Sequence, residues 1–141
     1  MSRTTYHELI KNKVYIGGVD AIETADENEN IDVFFDLRAS IDELAHQKSI
    51  HTPLLDDAEI ETLQQTLQQV NEAIDNNQKV YFHCNTGRGR TGALATLLLY
   101  ELNPELTMAD AEALAIAARE DIKLRENFKA ALLEIEKQSQ Q

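Results

Sequence analysis

Short apolar runs along this chain alternate with longer stretches in which apolar residues recur at every third or fourth position. Three runs predict β-strands, at residues 13–18 (KVYIGG), 31–37 (IDVFFDL) and 79–83 (KVYFH). The run at 31–37 is β-branched and aromatic with few polar breaks, which is typical of a strand buried on both faces. The segment 50–57 (IHTPLLDD) is expected to be extended, because the residue before Pro53 disfavours helix.

Helical periodicity is clearest at residues 59–76. Apolar side chains recur there at steps of three and four, in one stripe that we expect to face the core: Ile60, Leu63, Leu67, Val70 and Ile74. Earlier in the chain, Ser40 followed by acidic residues predicts a short helix within 39–49 (ASIDELAHQKS). The charged segment 26–30 (DENEN) is either a loop or the end of a helix.

Three more helices are predicted after residue 90. The first spans 91–102 and ends before Pro104, and the second opens at a capping box formed by Thr107 and Asp110. The last carries an apolar stripe: Phe128, Ala131, Leu132 and Ile135. Strands that alternate with helices indicate an α/β fold. We therefore expect one domain over residues 1–141, with a short, mostly parallel central sheet flanked by helices.

The composition limits the classes of partner that this domain is expected to bind. Its 141 residues include 13 Lys and Arg against 25 Asp and Glu, a formal net charge of -12. Nucleic acids and anionic membranes require a basic surface, so this charge disfavours a general binder of either. The longest apolar run, at 93–100, is far shorter than the roughly 20 residues that span a bilayer, and stable membrane insertion is not expected. One cysteine excludes an internal disulfide, and without a signal segment we expect a cytoplasmic protein.

The stretch HCNTGRGRT, residues 83–91, joins the third predicted strand to the helix after it. Cys84 ends the strand and Arg90 opens the helix six positions later, while Gly87 and Gly89 let the backbone turn between them. Such a loop aims several backbone N–H groups into one concavity, and a helix N-terminus adds its own donors. Arg90 supplies a fork of donors that matches two phosphate oxygens, and the same positive field favours a thiolate at Cys84. The stretch therefore predicts an anion cradle with a nucleophile at its floor.

HCNTGRGRT resembles the His-Cys-five residues-Arg-Ser/Thr motif of the cysteine-based protein tyrosine phosphatases, and it is most similar to their small dual-specificity branch. A looser similarity runs from VYIGG through FFDLR to the C-terminal helices. The resemblance implies the fold of that family, with Cys84 attacking phosphorus, Arg90 clamping the equatorial oxygens and Thr91 assisting the leaving thiolate. It also implies that the whole loop binds the phosphate: Asn85, Thr86, Gly87, Arg88, Gly89 and Arg90. No metal or other cofactor is implied.

The family also uses an aspartate from a separate loop, which protonates the leaving oxygen and then activates water. In dual-specificity members it commonly follows an Ile-Pro-x-x-Asp-like stretch upstream of the cysteine. Here TPLLD puts Asp56 in that place, 28 residues before Cys84. The adjoining Asp57 leaves the assignment open by one residue. A simpler interpretation of both is a pair of acids favoured by the dipole of the helix that starts near Glu59.

Other polar residues near the motif have structural interpretations. His83 is assigned a supporting role, in which its ring hydrogen-bonds around the loop, rather than acid-base chemistry. Asp36 and Arg38 are either a buried network beside the site or, as we favour from the sequence, ordinary strand-end polar residues. Cys84 itself would be an inert buried thiol in the simplest case, but that does not explain the glycines and Arg90 at these offsets.

The predicted function is hydrolysis of phosphate monoesters through a phosphocysteine, with a phosphorylated protein or a small phosphorylated molecule as substrate. One alternative is an inositol polyphosphate or phosphoinositide phosphatase, since Arg88 lies where such relatives often carry a lysine. The acidic composition argues against it, as does Asn85, where those phosphatases often carry a second basic residue. Another alternative is a catalytically silent module that captures phosphorylated ligands. Rhodaneses and arsenate reductases are less favoured, because the reductases carry the loop near the N-terminus.

Overall fold

The computed structural model describes residues 5–140. This part of the chain contains a 3-10 turn at Val19–Ala21, five strands and five α-helices. The strands are β1 (Tyr6–Ile10), β2 (Val14–Gly18), β3 (Val33–Asp36), β4 (Ser49–His51) and β5 (Val80–Cys84). The helices are α1 (Ile22–Glu29), α2 (Glu59–Asp75), α3 (Arg90–Leu102), α4 (Met108–Ala118) and α5 (Glu126–Ser139). The three predicted strands are confirmed as β2, β3 and β5, and the helices predicted after residue 58 as α2 to α5.

The five strands form one sheet in the order β1-β2-β5-β3-β4. The β1–β2 pair is antiparallel, and the other three pairs are parallel. The expected α/β fold with a mostly parallel sheet is thus confirmed. Neither edge strand is predicted from the sequence, because β1 is half-exposed with Glu8 at its centre and β4 has only three residues. β4 overlaps the start of the segment that was expected to be extended.

The short helix predicted within 39–49 is wrong. These residues form bends and a turn between β3 and β4, because they lack an apolar stripe that a helix could bury. Leu44, for example, is 46% exposed. The segment is fixed instead by the carboxylate of Asp26, which accepts hydrogen bonds from Lys48 Nζ (2.8 Å) and His46 Nε2 (3.1 Å).

Helix α1 was not predicted as a whole. Residues 26–30 include its C-terminal end, which is one of the two alternatives given for that segment. The helix buries only Ile22 and Ala25, so its apolar stripe is too short to be recognised in the sequence.

Side chains that alternate along the strands divide the core between the two faces of the sheet. On one face Phe82 and Cys84 of β5 pack in a large apolar cluster with residues of α2, α3 and α5. On the other face Tyr81 packs with Phe34 of β3 and with α1. Helices therefore flank the sheet on both sides, as the sequence predicts. None of the helices in residues 5–140 combines the length and the apolar character that crossing a membrane requires.

The carboxyl ends of the three inner strands meet at one edge of the sheet. Cys84 at the end of β5 pairs with Gly18 at the end of β2, and the preceding His83 pairs with Asp36 at the end of β3. In parallel sheets this is the edge where loops converge and ligands bind. The loops after β2, β3 and β5 therefore converge on the motif that the sequence singled out.

The predicted capping box is present at the start of α4. Thr107 Oγ1 accepts a hydrogen bond from Asp110 N (3.1 Å), and Asp110 Oδ2 accepts one from Thr107 N (3.3 Å). Thr107→Ala removes the first bond, so we expect the free energy of unfolding in urea to fall by about 1 kcal/mol. Thr107→Ser keeps the hydroxyl and should lose far less. Equal losses in the two variants would contradict a stabilising cap.

Candidate active site

The loop between β5 and α3, residues 85–89, packs against the end of β2. Gly87 has a φ of 76°, a left-handed conformation that favours glycine. A Cβ at Gly87 would lie 2.5 Å from the carbonyl carbon of Gly17, and a Cβ at Gly18 would lie 2.8 Å from Asn85 O. The absence of side chains at these positions allows the loop to lie directly against the sheet edge.

Cys84 is 6% exposed and lies at the base of this loop. Its Sγ accepts hydrogen bonds from Gly87 N (3.3 Å) and from Thr91 Oγ1 (3.1 Å) in the first turn of α3. Thr91 is fully buried, and its Oγ1 lies 3.4 Å from Gly17 O as well. Both partners act as donors, so the sulfur is the acceptor in both hydrogen bonds. The structure thus brings the predicted nucleophile together with Thr91.

Arg90 begins α3 and turns its guanidinium toward the loop after β4. Nε donates to Leu54 O (2.6 Å), and Nη2 donates to Asp56 Oδ2 (3.1 Å). The guanidinium also lies 5.7 Å from the centre of the Phe128 ring, and the side chain is only 11% exposed. The structure therefore brings Arg90 and Asp56 together. Asp57 is exposed and forms no hydrogen bond or ion pair with another residue in the range 5–140.

Asp56 is held by residues at the start of α5. Its Oδ1 accepts a hydrogen bond from Asn127 Nδ2 (3.1 Å) and lies 3.5 Å from Arg125 Nη1. The hydrogen bond from Asn127, reinforced by the charges of Arg90 and Arg125, holds the pKa of this carboxyl below its ordinary value. Asn127 and Arg125 are not predicted from the sequence as site residues, because only the fold brings α5 beside the loop that carries Asp56.

A cleft of about 900 Å³ opens above Cys84. Of the described residues that line it, one is acidic, Glu126, and five are basic: Arg38, Arg88, Arg90, Lys123 and Arg125. The whole chain holds 13 basic residues against 25 acidic ones, so the cleft locally reverses the charge of the protein. A cleft of one sign raises the local concentration of ions of the opposite sign. Within residues 5–140, no group of three or more His, Cys, Asp or Glu side chains is placed to hold a metal ion.

The other loop residues predicted to bind phosphate surround the same cleft. Asn85, Thr86 and Gly89 line it, whereas Gly87 is buried against β2. Arg88 also lines the cleft but is exposed, and its Nε donates to Asp121 O (3.3 Å). This contact engages one of the five N–H donors of the Arg88 guanidinium.

His83 is fully buried, and its Nδ1 donates to Cys84 O (3.1 Å). Burial lowers the pKa of the imidazole, and the attraction of the Asp36 carboxylate opposes this only in part. Nε2 has no hydrogen-bond partner among the described residues. His83 is thus a neutral ring in contact with the backbone of the predicted nucleophile, an arrangement that agrees with a supporting role.

Asp36 and Arg38 form an ion pair beside the site, so their interpretation as ordinary strand-end polar residues is wrong. Asp36 is fully buried, and Arg38 Nη2 lies 2.6 Å from Asp36 Oδ2. Arg38 also lines the cleft that contains Cys84. Every residue of β3 is buried, so a carboxylate at its end has no access to water and requires a partner within the protein.

Arg119, which follows α4, was missed by the sequence analysis. It is 6% exposed, and it contacts the loop from behind: Nε donates to Gly87 O (3.0 Å) and Nη2 donates to Thr86 O (3.1 Å). In a planar trans peptide, the carbonyl of one residue and the N–H of the next residue point in opposite directions. The two carbonyls that Arg119 holds therefore turn the N–H groups of Gly87 and Arg88 the other way, and Gly87 N does donate to Cys84 Sγ.

The same guanidinium ties the loop to β1. Arg119 Nη1 donates to Thr5 O (3.1 Å) and to His7 Nδ1 (3.0 Å). Burial and the charge of Arg119 both lower the pKa of His7, so its ring stays neutral and accepts the hydrogen bond. No signal in the alanine-rich helix before Arg119 distinguishes this arginine from an ordinary helix-end cation.

Known proteins share this arrangement of strands and helices. Residues 14–138 match the family described as dual specificity phosphatase, catalytic domain. Similar solved structures include human DUSP28 (16% identity, TM-score 0.81, 96% of this chain and 95% of that chain). A leucine rich repeat and phosphatase domain containing protein from Entamoeba histolytica is similar (14% identity, TM-score 0.81, 98% and 94%). PTPMT1 in complex with PI(5)P is also similar (17% identity, TM-score 0.77, 94% of this chain and 95% of that chain). No curated protein sequence matches the chain.

The contacts of Arg119 predict a specific loss in anion binding. Arg119→Met leaves two loop carbonyls without their donor, so we expect the affinity for tungstate, measured by calorimetry, to fall at least about tenfold. Arg119→Lys keeps the charge but cannot reach both carbonyls, and should recover only part of the loss. Thr107→Ala is the control, since it destabilises the fold away from the loop and should bind tungstate normally. A folded Arg119→Met protein with full affinity would contradict the prediction.

Proposed function

Because the chain belongs to the dual specificity phosphatase catalytic domain family, we propose that it hydrolyses phosphate monoesters through a covalent phosphocysteine on Cys84. The observation that carries this proposal is the position of the Cys84 sulfur. It lies at the base of a cleft with five basic side chains and accepts hydrogen bonds from Gly87 N and Thr91 Oγ1. A nucleophile beneath an anion cradle is the arrangement that attack on phosphorus requires.

In the first step the substrate phosphate occupies the cradle of loop N–H groups, with Arg90 donating to its oxygens. The Cys84 thiolate forms a bond to phosphorus as the bond from phosphorus to the substrate oxygen breaks. Asp56 donates its proton to that oxygen, and the alcohol or phenol leaves. The contact of Arg90 Nη2 with Asp56 supports this assignment, since it brings the predicted acid to the group that binds the phosphate.

In the second step Asp56, now a carboxylate, takes a proton from water as the water oxygen attacks the phosphocysteine. The sulfur–phosphorus bond breaks, inorganic phosphate leaves, and Cys84 returns as a thiolate. Thr91 Oγ1 and Gly87 N are the donors that receive this thiolate. Asn85, Thr86, Arg88 and Gly89 are proposed as the other phosphate-binding residues, and His83 supports the backbone at Cys84.

The same site also supports an alternative choice of substrate. The basic lining favours compact molecules with several phosphates over a singly phosphorylated side chain. PTPMT1, which shares the fold, has been solved with PI(5)P bound, so an inositol phosphate or phosphoinositide substrate stays a candidate beside phosphoproteins. Arg88 is less suited to bind a second phosphate than the sequence suggested, because its Nε is engaged with Asp121 O. The expected cytoplasmic location stays a prediction.

The role of Cys84 is tested with an aryl phosphate such as 4-nitrophenyl phosphate. Cys84→Ser should abolish release of nitrophenol while tungstate binding and the unfolding transition are retained, because a serine hydroxyl is a far weaker nucleophile here. Turnover by the natural protein would also exclude the alternative of a catalytically silent module that captures phosphorylated ligands. Substantial residual turnover in Cys84→Ser would contradict the phosphocysteine mechanism.

The role of Asp56 is tested through the pH dependence of kcat/KM. A general acid works only while it is protonated, so a lowered pKa confines its action to acidic pH and makes kcat/KM fall as pH rises through that pKa. Asp56→Asn should lower turnover about 10²- to 10⁴-fold for aryl phosphates with poor leaving groups and flatten this fall. Asp57→Asn should do much less, and equal effects would contradict the assignment.

Asn127→Ala is a control on the same pH profile. Its hydrogen bond is the main cause of the lowered pKa of Asp56, so its removal should let that pKa rise. The fall in kcat/KM should then move to higher pH, whereas a change unrelated to Asp56 would reduce activity at every pH by the same factor.

A further inference from the structure

Arg38 is held more rigidly than any catalytic step proposed above requires. Its Nε donates to Asp36 Oδ1 (2.9 Å) and its Nη2 to Asp36 Oδ2 (2.6 Å), while its backbone N donates to Asp36 Oδ1 (3.1 Å). Its carbonyl oxygen accepts a hydrogen bond from His51 Nε2 (2.7 Å). Backbone and side chain are therefore both fixed, by one buried carboxylate and one imidazole.

The ion pair has no evident purpose in folding. All hydrogen bonds to the Asp36 carboxylate in the described part of the chain come from Arg38 itself. Burial raises the pKa of Asp36, but the hydrogen bonds and charge of Arg38, together with the attraction of His83, outweigh this and leave the pKa lowered, so the carboxylate stays charged. Replacing such a buried pair by apolar residues is often neutral or stabilising. The arrangement therefore serves to hold the guanidinium in place.

Arg38 lines the cleft above Cys84, and its charge interacts with that of Cys84. Asp36 pairs across the sheet with His83, the residue before the nucleophile, so Arg38 stands beside the phosphate cradle on the β3 side. Arg38 makes no hydrogen bond with residues 84–91, so it is not part of the cradle. Its side chain is 25% exposed, whereas that of Asp36 is not exposed at all.

An arginine has five N–H donors, and Asp36 engages only the edge formed by Nε and Nη2. Nη1 has no hydrogen-bond partner among residues 5–140, so the end of the guanidinium, formed by Nη1 and the second hydrogen of Nη2, is available. A preorganised pair of donors with a permanent charge matches two oxygens of a phosphate. It loses little conformational entropy on binding, because the side chain is already ordered.

We propose that Arg38 forms a second anion subsite, which binds another phosphate group of the same substrate while the scissile phosphate occupies the Cys84 cradle. The inference rests on the proposed function and narrows its substrates to compact molecules with two or more phosphates. The net charge of -12 repels extended polyanions, so the second phosphate must be close to the first. A small bisphosphate and a peptide with two neighbouring phosphorylated residues both present this chemistry.

Binding is measured by calorimetry in a Cys84→Ser background, so that the result does not depend on turnover. The ligands are alkanediol bisphosphates with two to six carbons and the matching monophosphates. We expect the bisphosphate of the best length to bind about tenfold more tightly than its monophosphate, as one charge-assisted contact would give. Arg38→Gln should remove most of this preference. A doubly and a singly phosphorylated peptide of one sequence form a second arm, which separates peptide from small-molecule substrates.

Lys123→Gln is the matched control, since it removes one positive charge from the same cleft without removing a fixed guanidinium. It should weaken both ligand classes by a similar factor and keep the preference. Arg38→Gln leaves Asp36 without its partner, so the double variant Asp36→Asn, Arg38→Gln guards against misfolding and should lose the preference as well. The proposal is overturned if no bisphosphate in either arm is preferred, or if the preference survives in the double variant or is removed by Arg88→Gln instead.

The proposed hydrolysis is tested independently of the second anion subsite. If the protein with Cys84 intact releases no phosphate from aryl phosphates or bisphosphates, the catalytic proposal is wrong. A bisphosphate preference that depends on Arg38 would still stand in that case, as a property of the cleft.

Discussion

The contact on which the rest of the site depends is the close approach of the loop 85–89 to the end of β2. It requires that no side chain intervene, and the glycines of both segments meet that requirement. Asn85 O accepts a hydrogen bond from Val19 N (3.1 Å), and Tyr81 Oη donates to Gly18 O (2.8 Å) from beneath. Arg119 donates hydrogen bonds to the carbonyls of Thr86 and Gly87 in the loop. A loop held at so many points is fixed in position, and so is Gly87 N, which donates to Cys84 Sγ. Little reorganisation is then needed if charge develops beside this donor.

The electrostatics of the site set two requirements against each other. The cleft gathers positive charge in an acidic protein, which favours the binding of a phosphate. The hydrogen bond from Asn127, together with the charges of Arg90 and Arg125, favours the carboxylate form of Asp56, which works against the proposed use of this residue as a general acid. A phosphate that enters the cleft brings negative charge beside Arg90 and so offsets part of that effect. In the proposed mechanism, substrate binding therefore favours protonation of Asp56 through its effect on Arg90.

Local patterns in the sequence were sufficient for the parts of the site that lie close together in the chain. The spacing from Cys84 to Arg90, with its glycines, predicts the cradle, and the stripe of α2 and the cap of α4 predict two helices. The supports of the cradle lie far away in sequence: Arg119 reaches Gly87 across 32 positions, and Asn127 reaches Asp56 across 71. Such contacts depend on how helices pack, and no local pattern marks them. The helix predicted within 39–49 is wrong because it rested on a local pattern alone. A capping residue without an apolar stripe does not make a helix.

Asp36 and Arg38 show how burial changes the interpretation of two polar residues at the end of a strand. In the sequence they are two polar residues after a strand, but full burial of Asp36 means that its charge must be balanced inside the protein. Arg90 is held by a backbone carbonyl and an exposed carboxylate, so it can exchange these partners for a phosphate. Arg38 is held by a fully buried carboxylate that accepts hydrogen bonds from Arg38 alone among residues 5–140, so moving the side chain away would leave a buried charge unpaired. In the proposed mechanism the two arginines of one cleft therefore have different tasks: Arg90 changes partners during the reaction, and Arg38 stays in one position and binds a second phosphate.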